Sequence, residues 1–143
     1  MSKADADILR RAWTYIVVNG FAIGRTGYRK PGDECASCAL GGLAAAEGLN
    51  LDDSDDAGYP DDFTYIVDKV PASKWLVEAQ GTKTESRLTQ PHRTYPAECD
   101  TAWSIWRHND SVVKTFARAR DWFARAIILA DLNGEAITNG ADA

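Results

Sequence analysis

Long apolar runs are missing from this chain: nowhere do its 143 residues offer the roughly 20 consecutive apolar positions that a bilayer-spanning helix needs. Residues 1–7 are polar and acidic, whereas a secretory leader starts basic and turns apolar, so a soluble, cytoplasmic protein is expected. Cysteine is scarce and odd in number, at three, which fits reduced thiols better than a disulfide framework. Cations are outnumbered, with 16 Lys and Arg against 21 Asp and Glu. The resulting formal charge of -5 opposes the phosphate neutralisation on which general nucleic-acid binding rests. Glycine is not arranged for phosphate either, since Gly20 to Gly27 has neither the dinucleotide nor the Walker spacing. No repeat of solenoid length occurs. Without a complete catalytic, metal or phosphate motif, the sequence implies no cofactor and no particular reaction.

What the chain has is 45% hydrophobic residues, enough for one core, in a length too short for two. Residues 1–134 are expected to form a single globular domain, followed by a flexible tail over 135–143. Ile8, Leu9, Ala12, Trp13, Ile16 and Val17 recur at helical spacing, and Asn19-Gly20 closes that first helix. Residues 21–30 mix apolar, glycine and basic positions up to Pro31-Gly32-Asp33, which predicts a loop or a short hairpin. Ser37 is placed to cap a buried helix through Leu40, Leu43, Ala44 and Ala46, where Gly41 and Gly42 admit a close neighbour and Gly48 ends the run. Pro60-Asp61-Asp62 starts a helix carrying Phe63, Ile66, Val67 and Val70; Ser73 can cap a short one carrying Trp75 and Leu76. Ala97 to Arg107 bears a stripe of Ala102, Trp103, Ile105 and Trp106 that Asn109-Asp110 breaks. Thr115 then caps a last helix with Phe116, Ala119, Phe123, Ala126, Ile127 and Ala130 inward, ending near Asn133-Gly134. The sum is a mainly α, compact single domain of about five helices, with a short hairpin as one option after the first.

Several residue groups could carry chemistry. Cys35-Ala-Ser-Cys38, with Cys99 and either His92 or His108, has the ligand types of tetrahedral zinc, but the second half lacks a close pair. Cys38 opens a helix, a position that lowers a thiol pKa, so with His92 or His108 as base it is a candidate nucleophile. His108, Asn109 and Asp110 place an acid, a base and an amide beside Trp106; the plainer reading is a helix-to-helix turn whose Asn and Asp bond nearby backbone. The acidic run from Asp52 to Asp56 resembles a calcium loop but fails its register at Ala57 and Thr64, which leaves a solvated loop. Arg25, Tyr28, Arg29 and Lys30 could meet a phosphate or nucleotide by charge and stacking. Residues 82–96 are polar, without periodicity, and contain Arg87, His92 and Arg93, so they form a lid or partner-binding candidate. Arg118, Asp121 and Arg125 fit an exposed ion-pair row on the last helix, a solvated face or else a partner surface.

The run Cys38-Ala-Leu-Gly-Gly, followed about seventy residues later by Trp106-Arg-His-Asn-Asp, is the most distinctive pattern. With the amphipathic first helix before it and a closing helix that starts at Thr115, it resembles a family of small proteins of actinobacteria and their phages, catalogued as a domain of unknown function. The resemblance covers roughly half the chain, leaving Asp52 to Pro96 largely unmatched, and Cys35 departs from a family pattern that has one Cys at the position of Cys38. It implies an accessory protein, acting in the host cytoplasm if phage-encoded. The expected function is a non-enzymatic binding protein for a host protein or small ligand, with Arg25, Tyr28, Arg29, Arg87, His92, Arg93, Trp106 and Asn109 as contact candidates. The alternatives are a small enzyme using Cys38 or the His108 to Asp110 cluster, and a zinc-stabilised module.

Overall fold

The computed structural model describes residues 4–59, 61–80 and 97–142, with side chains from 100 to 133 in the last stretch. Those residues are mainly helical and contain no strand. Helix α1 (Asp5–Asn19) buries Ala6, Ile8, Leu9, Ala12 and Ile16 as one stripe, and Gly20, at φ 108°, ends it by returning its N–H to the Ile16 carbonyl. The stripe is narrower than the sequence suggests, since Val17 is half exposed. Residues 21–37 are a loop rather than a hairpin, pinned by one isolated bridge between Phe21 and Ser37.

Helix α2 (Ala39–Glu47) is apolar on every side, and a helix of that kind has to be surrounded. Its residues from Ala39 to Ala44 are all buried. The two glycines make this burial geometrically feasible. A Cβ on Gly41 would lie 2.0 Å from the Thr26 carbonyl oxygen, and one on Gly42 would press on Ile16 and the Ala12 carbonyl at 3.0 and 3.1 Å. The loop thus lies across one side of α2 and α1 across another. Gly48 closes α2 in the left-handed conformation at φ 64°.

The acidic stretch is not simply a loop. Asp53–Asp56 forms a single helical turn, α3, with Ser54 buried beneath it. Helix α4 (Asp62–Lys69) begins where the sequence suggests, capped by Asp61, whose Oδ1 accepts the Thr64 N–H at 2.7 Å. A 3-10 turn over Pro71–Ser73 leads into the short α5 (Lys74–Glu78), where Ser73 makes no side-chain cap. Helix α6 (Ala97–Arg107) does not break at Asn109-Asp110. It widens into a π-helical segment, His108–Val113, that ends only at Lys114, held at φ 67°. Helix α7 (Phe116–Asp142) follows, with Thr115 Oγ1 accepting the Arg118 N–H, and its backbone runs past Asn133-Gly134, where a stop was expected.

Helix α1 packs against α2 and α7, α4 against α6, and α5 against α6 and α7. One continuous core results, in which Trp122 and Phe123 of α7 are the largest fully buried side chains. Trp122 Nε1–H donates to the Leu76 carbonyl at 2.8 Å, so the indole satisfies its polar atom while tying α7 to α5. Phe116, expected inside, is 44% exposed, although its ring rests on Trp13 at 5.1 Å. No helix among the described residues is long and apolar enough to cross a membrane.

Candidate functional site

The two halves of the sequence signature meet in space. Asn109, 1% exposed on the π segment, directs its Oδ1 to the Ala39 N–H at 3.0 Å, in the first turn of α2. Its Nδ2 donates to the Ala22 carbonyl at 3.2 Å and to Asp110 Oδ1 at 2.8 Å. Asp110 Oδ1 in turn accepts the Gly24 N–H at 3.1 Å. A π turn sets successive side chains at a smaller angle than an α turn, so His108, Asn109 and part of Asp110 face inward together. Asn109 and Asp110 therefore serve as a knot between α2, the 21–37 loop and the π segment, satisfying backbone groups that burial would otherwise strand.

Cys38, not Ser37, is the cap of α2: its Sγ accepts the Gly41 N–H at 3.5 Å, while Ser37 Oγ is buried with no partner. The cap position does not activate the thiol. Burial pushes Cys38 up to about 11, overriding the lowering by the Gly41 and Leu40 amides, and the Asp110 charge adds to the rise. His108 moves the other way, to about 4, first because burial disfavours its cation and then because Arg125 repels it. A nucleophile and base pair requires a thiol willing to lose its proton and an imidazole willing to take it; here both are displaced against that transfer.

The remaining candidates are scattered. Cys35 is exposed while Cys38 is buried. Among the described residues no group of three or more His, Cys, Asp and Glu side chains could hold a metal. Tyr28, expected at a binding surface, is 2% exposed and donates its hydroxyl to the Leu49 carbonyl at 2.7 Å. Arg29 is held by Asp62 at 2.6 Å and by Asp52 at 3.1 Å, which raises its pKa through those hydrogen bonds, so the acidic stretch is occupied in pinning the loop. Arg25 is exposed, and Trp106 is 36% exposed on α6. Arg87, His92 and Arg93, with the 82–96 loop, lie outside the described residues, as does the side chain of Cys99.

Two hollows open on the surface that the described residues form. The larger, about 360 Å³, lies between Tyr15, Tyr28 and the Pro31–Glu34 turn. The polar atoms of its tyrosines and of Asp33 are already engaged: Tyr15 Oη donates to the Asp33 carbonyl and accepts the Cys35 N–H, Tyr28 Oη donates to the Leu49 carbonyl, and Asp33 Oδ2 accepts the N–H groups of Arg29 and Lys30. The second, about 270 Å³, is a cleft where the π segment, the end of the α5 region and α7 converge, lined by Gln80, His108, Val112, Arg118, Asp121 and Arg125 among others. Its inner wall is the His108 ring against Trp122, edge to face at 4.8 Å between centroids.

The expected ion-pair row is absent from this cleft. Arg118 Nη1 donates to the Val112 carbonyl at 3.3 Å, Arg125 Nε donates to the Ala79 carbonyl at 3.0 Å, and Asp121 pairs with Arg120 at 3.6 Å. Sequence reasoning placed Arg118, Asp121 and Arg125 on one face of the last helix and found His108 apart from them, but it did not join the two, and it missed Gln80 and Val112. The spacing of Arg118 and Arg125, two turns apart, was the one readable signal. Compared with family models, with curated proteins and with solved structures, the chain matches none.

Proposed function

We propose that this protein is a non-enzymatic binding protein whose small-ligand site is the cleft between the π segment and α7. The observation that carries this reading is the division of labour between neighbouring residues. Asn109, Asp110 and Cys38 are consumed in capping and loop fixation, whereas His108, one position away, turns to an open cleft with two arginines at its rim. Concave sites with a few convergent polar groups on an apolar floor are the usual form of small-ligand pockets. A buried thiol shifted to about 11 and an imidazole shifted to about 4 are poorly suited to the covalent or acid-base work of the enzyme alternative.

A thermal-shift screen of small polar molecules tests this on the full chain, with Cys38→Ser and Val112→Trp beside the native protein. Val112 is 47% exposed at the cleft, so a tryptophan there fills the mouth without entering the core. Hits should survive Cys38→Ser and vanish with Val112→Trp. Hits that survive the plug, or any turnover that Cys38→Ser abolishes in a folded protein, would reverse the reading.

A further inference from the structure

We infer, on the reading of the cleft as a ligand site, that its ligand is a small anion, a carboxylate or phosphate, held between the guanidiniums of Arg118 and Arg125. Each arginine is anchored by a single nitrogen to a backbone carbonyl, Val112 for one and Ala79 for the other. A guanidinium carries five N–H donors in a planar fork, so most of the donors on each remain for a ligand. Among the described residues neither arginine has a carboxylate within 4.0 Å, and the acid that lies between them in sequence, Asp121, is engaged by Arg120. Anchoring to carbonyls fixes direction without neutralising charge, which is the arrangement that lets a second, anionic partner bind with two forked contacts.

His108 supplies the independent observation. It is 7% exposed, lines the cleft, and its ring nitrogens have no hydrogen-bond partner among the described residues. Those nitrogens are not sealed in, unlike Ser37 Oγ and Thr64 Oγ1, so they open to the cleft, where a ligand can meet them in place of water. The size is consistent with that class: about 270 Å³ lies near the lower end of the ~300–1,000 Å³ of drug-sized sites, which suits a phosphate or small dicarboxylate. The cationic rim stands out on a chain whose formal charge is -5.

The test is an NMR titration of the full chain at fixed ionic strength, following the His108 ring and the Trp122 indole N–H, with inorganic phosphate, succinate and uncharged succinamide as probes. Saturable shifts with phosphate or succinate and none with succinamide are expected. Arg118→Gln with Arg125→Gln should weaken binding at least about tenfold, as expected for loss of two charge-assisted contacts, and Asp121→Asn should tighten it. Arg125→Lys, which keeps the charge and loses the fork, serves if the Gln variant is unfolded, and should fall in between. Absence of saturation by both anions, or binding that the arginine variants leave unchanged, would overturn the inference. Binding of succinamide with equal strength would overturn it too while leaving the cleft reading in place; silence from every ligand screened would remove both.

Discussion

Replacing Asn109 should show how much of this fold hangs on one amide. The side chain makes three hydrogen bonds, and two of its partners, the Ala39 N–H and the Ala22 carbonyl, are backbone groups that nothing else is placed to satisfy. Leaving a buried backbone group unpaired costs about 1–3 kcal/mol, so Asn109→Leu, which keeps roughly the volume and removes the polarity, should lose about 2–4 kcal/mol. Asn109→Ala should lose somewhat more, by the small cavity it adds. At about 2–4 °C per kcal/mol for a domain near this size, the melting temperature should fall by roughly 5–15 °C. Urea denaturation of the two variants, combined with amide hydrogen exchange, separates the cap from generic packing. Exchange at Ala39 should accelerate more than at Ile66 or Leu76, which lie in the core away from the knot. A Leu variant within about 0.5 kcal/mol of the native protein, with Ala39 still protected, would refute the assignment of Asn109 as the tie between α2 and the π segment.

Gly41→Ala should be destabilising by about 2 kcal/mol or more in chemical denaturation, because its Cβ would meet the Thr26 carbonyl at 2.0 Å and neither backbone can yield freely. Gly48→Ala, in open space at φ 64°, should cost only about 1 kcal/mol, the left-handed penalty; equal losses at the two sites would contradict the packing argument. In a Cys99→Ser background, Ellman's reagent should modify Cys35 within the mixing time and spare Cys38 until the protein unfolds, since only the former is exposed. Folding lowers the His108 pKa from 6.5 to about 4, so the unfolded chain binds the extra proton between those values. That contribution is intact above pH 6.5 and is lost as the pH falls through 4, worth about 2 kcal/mol once water in the cleft screens it. Denaturation curves at pH 7 and 4 should therefore differ less for His108→Phe than for the native protein, and parallel losses would count against a buried neutral imidazole.

The helices were legible where periodicity and punctuation agreed. Ile8, Leu9, Ala12 and Ile16 read as a face because a surface helix must alternate, and Gly20, Gly48 and Asp61 acted as the stop and start signals they resemble. The π segment was not legible. Asn109-Asp110 carries the composition of a helix-breaking turn, and only long-range bonds to Ala39, Ala22 and Gly24 make it pay to keep the helix going and widen it. For the same reason Ser37 looked like a cap and Cys38 became one: local propensity favours the hydroxyl, but the approach of Thr26 to Gly41 and of Asn109 to Ala39 sets where α2 begins. Tyr28 and Arg29 seemed available for a ligand because nothing in their neighbourhood in sequence shows that Leu49, Asp52 and Asp62 fold back to claim them. The cleft was invisible as a unit, since Gln80, His108 and Arg125 meet through tertiary contacts alone, the Trp122 indole on the Leu76 carbonyl and Arg125 on the Ala79 carbonyl among them.

Mapping by two-dimensional NMR of where small-molecule fragments touch the labelled protein tests the division between structural signature and ligand cleft most directly. Perturbations should centre on His108, Val113 and the Trp122 indole, and persist in Cys38→Ser. Perturbations centred on the hollow beside Tyr15 and Tyr28, or a covalent adduct on Cys38 in the folded protein, would contradict it.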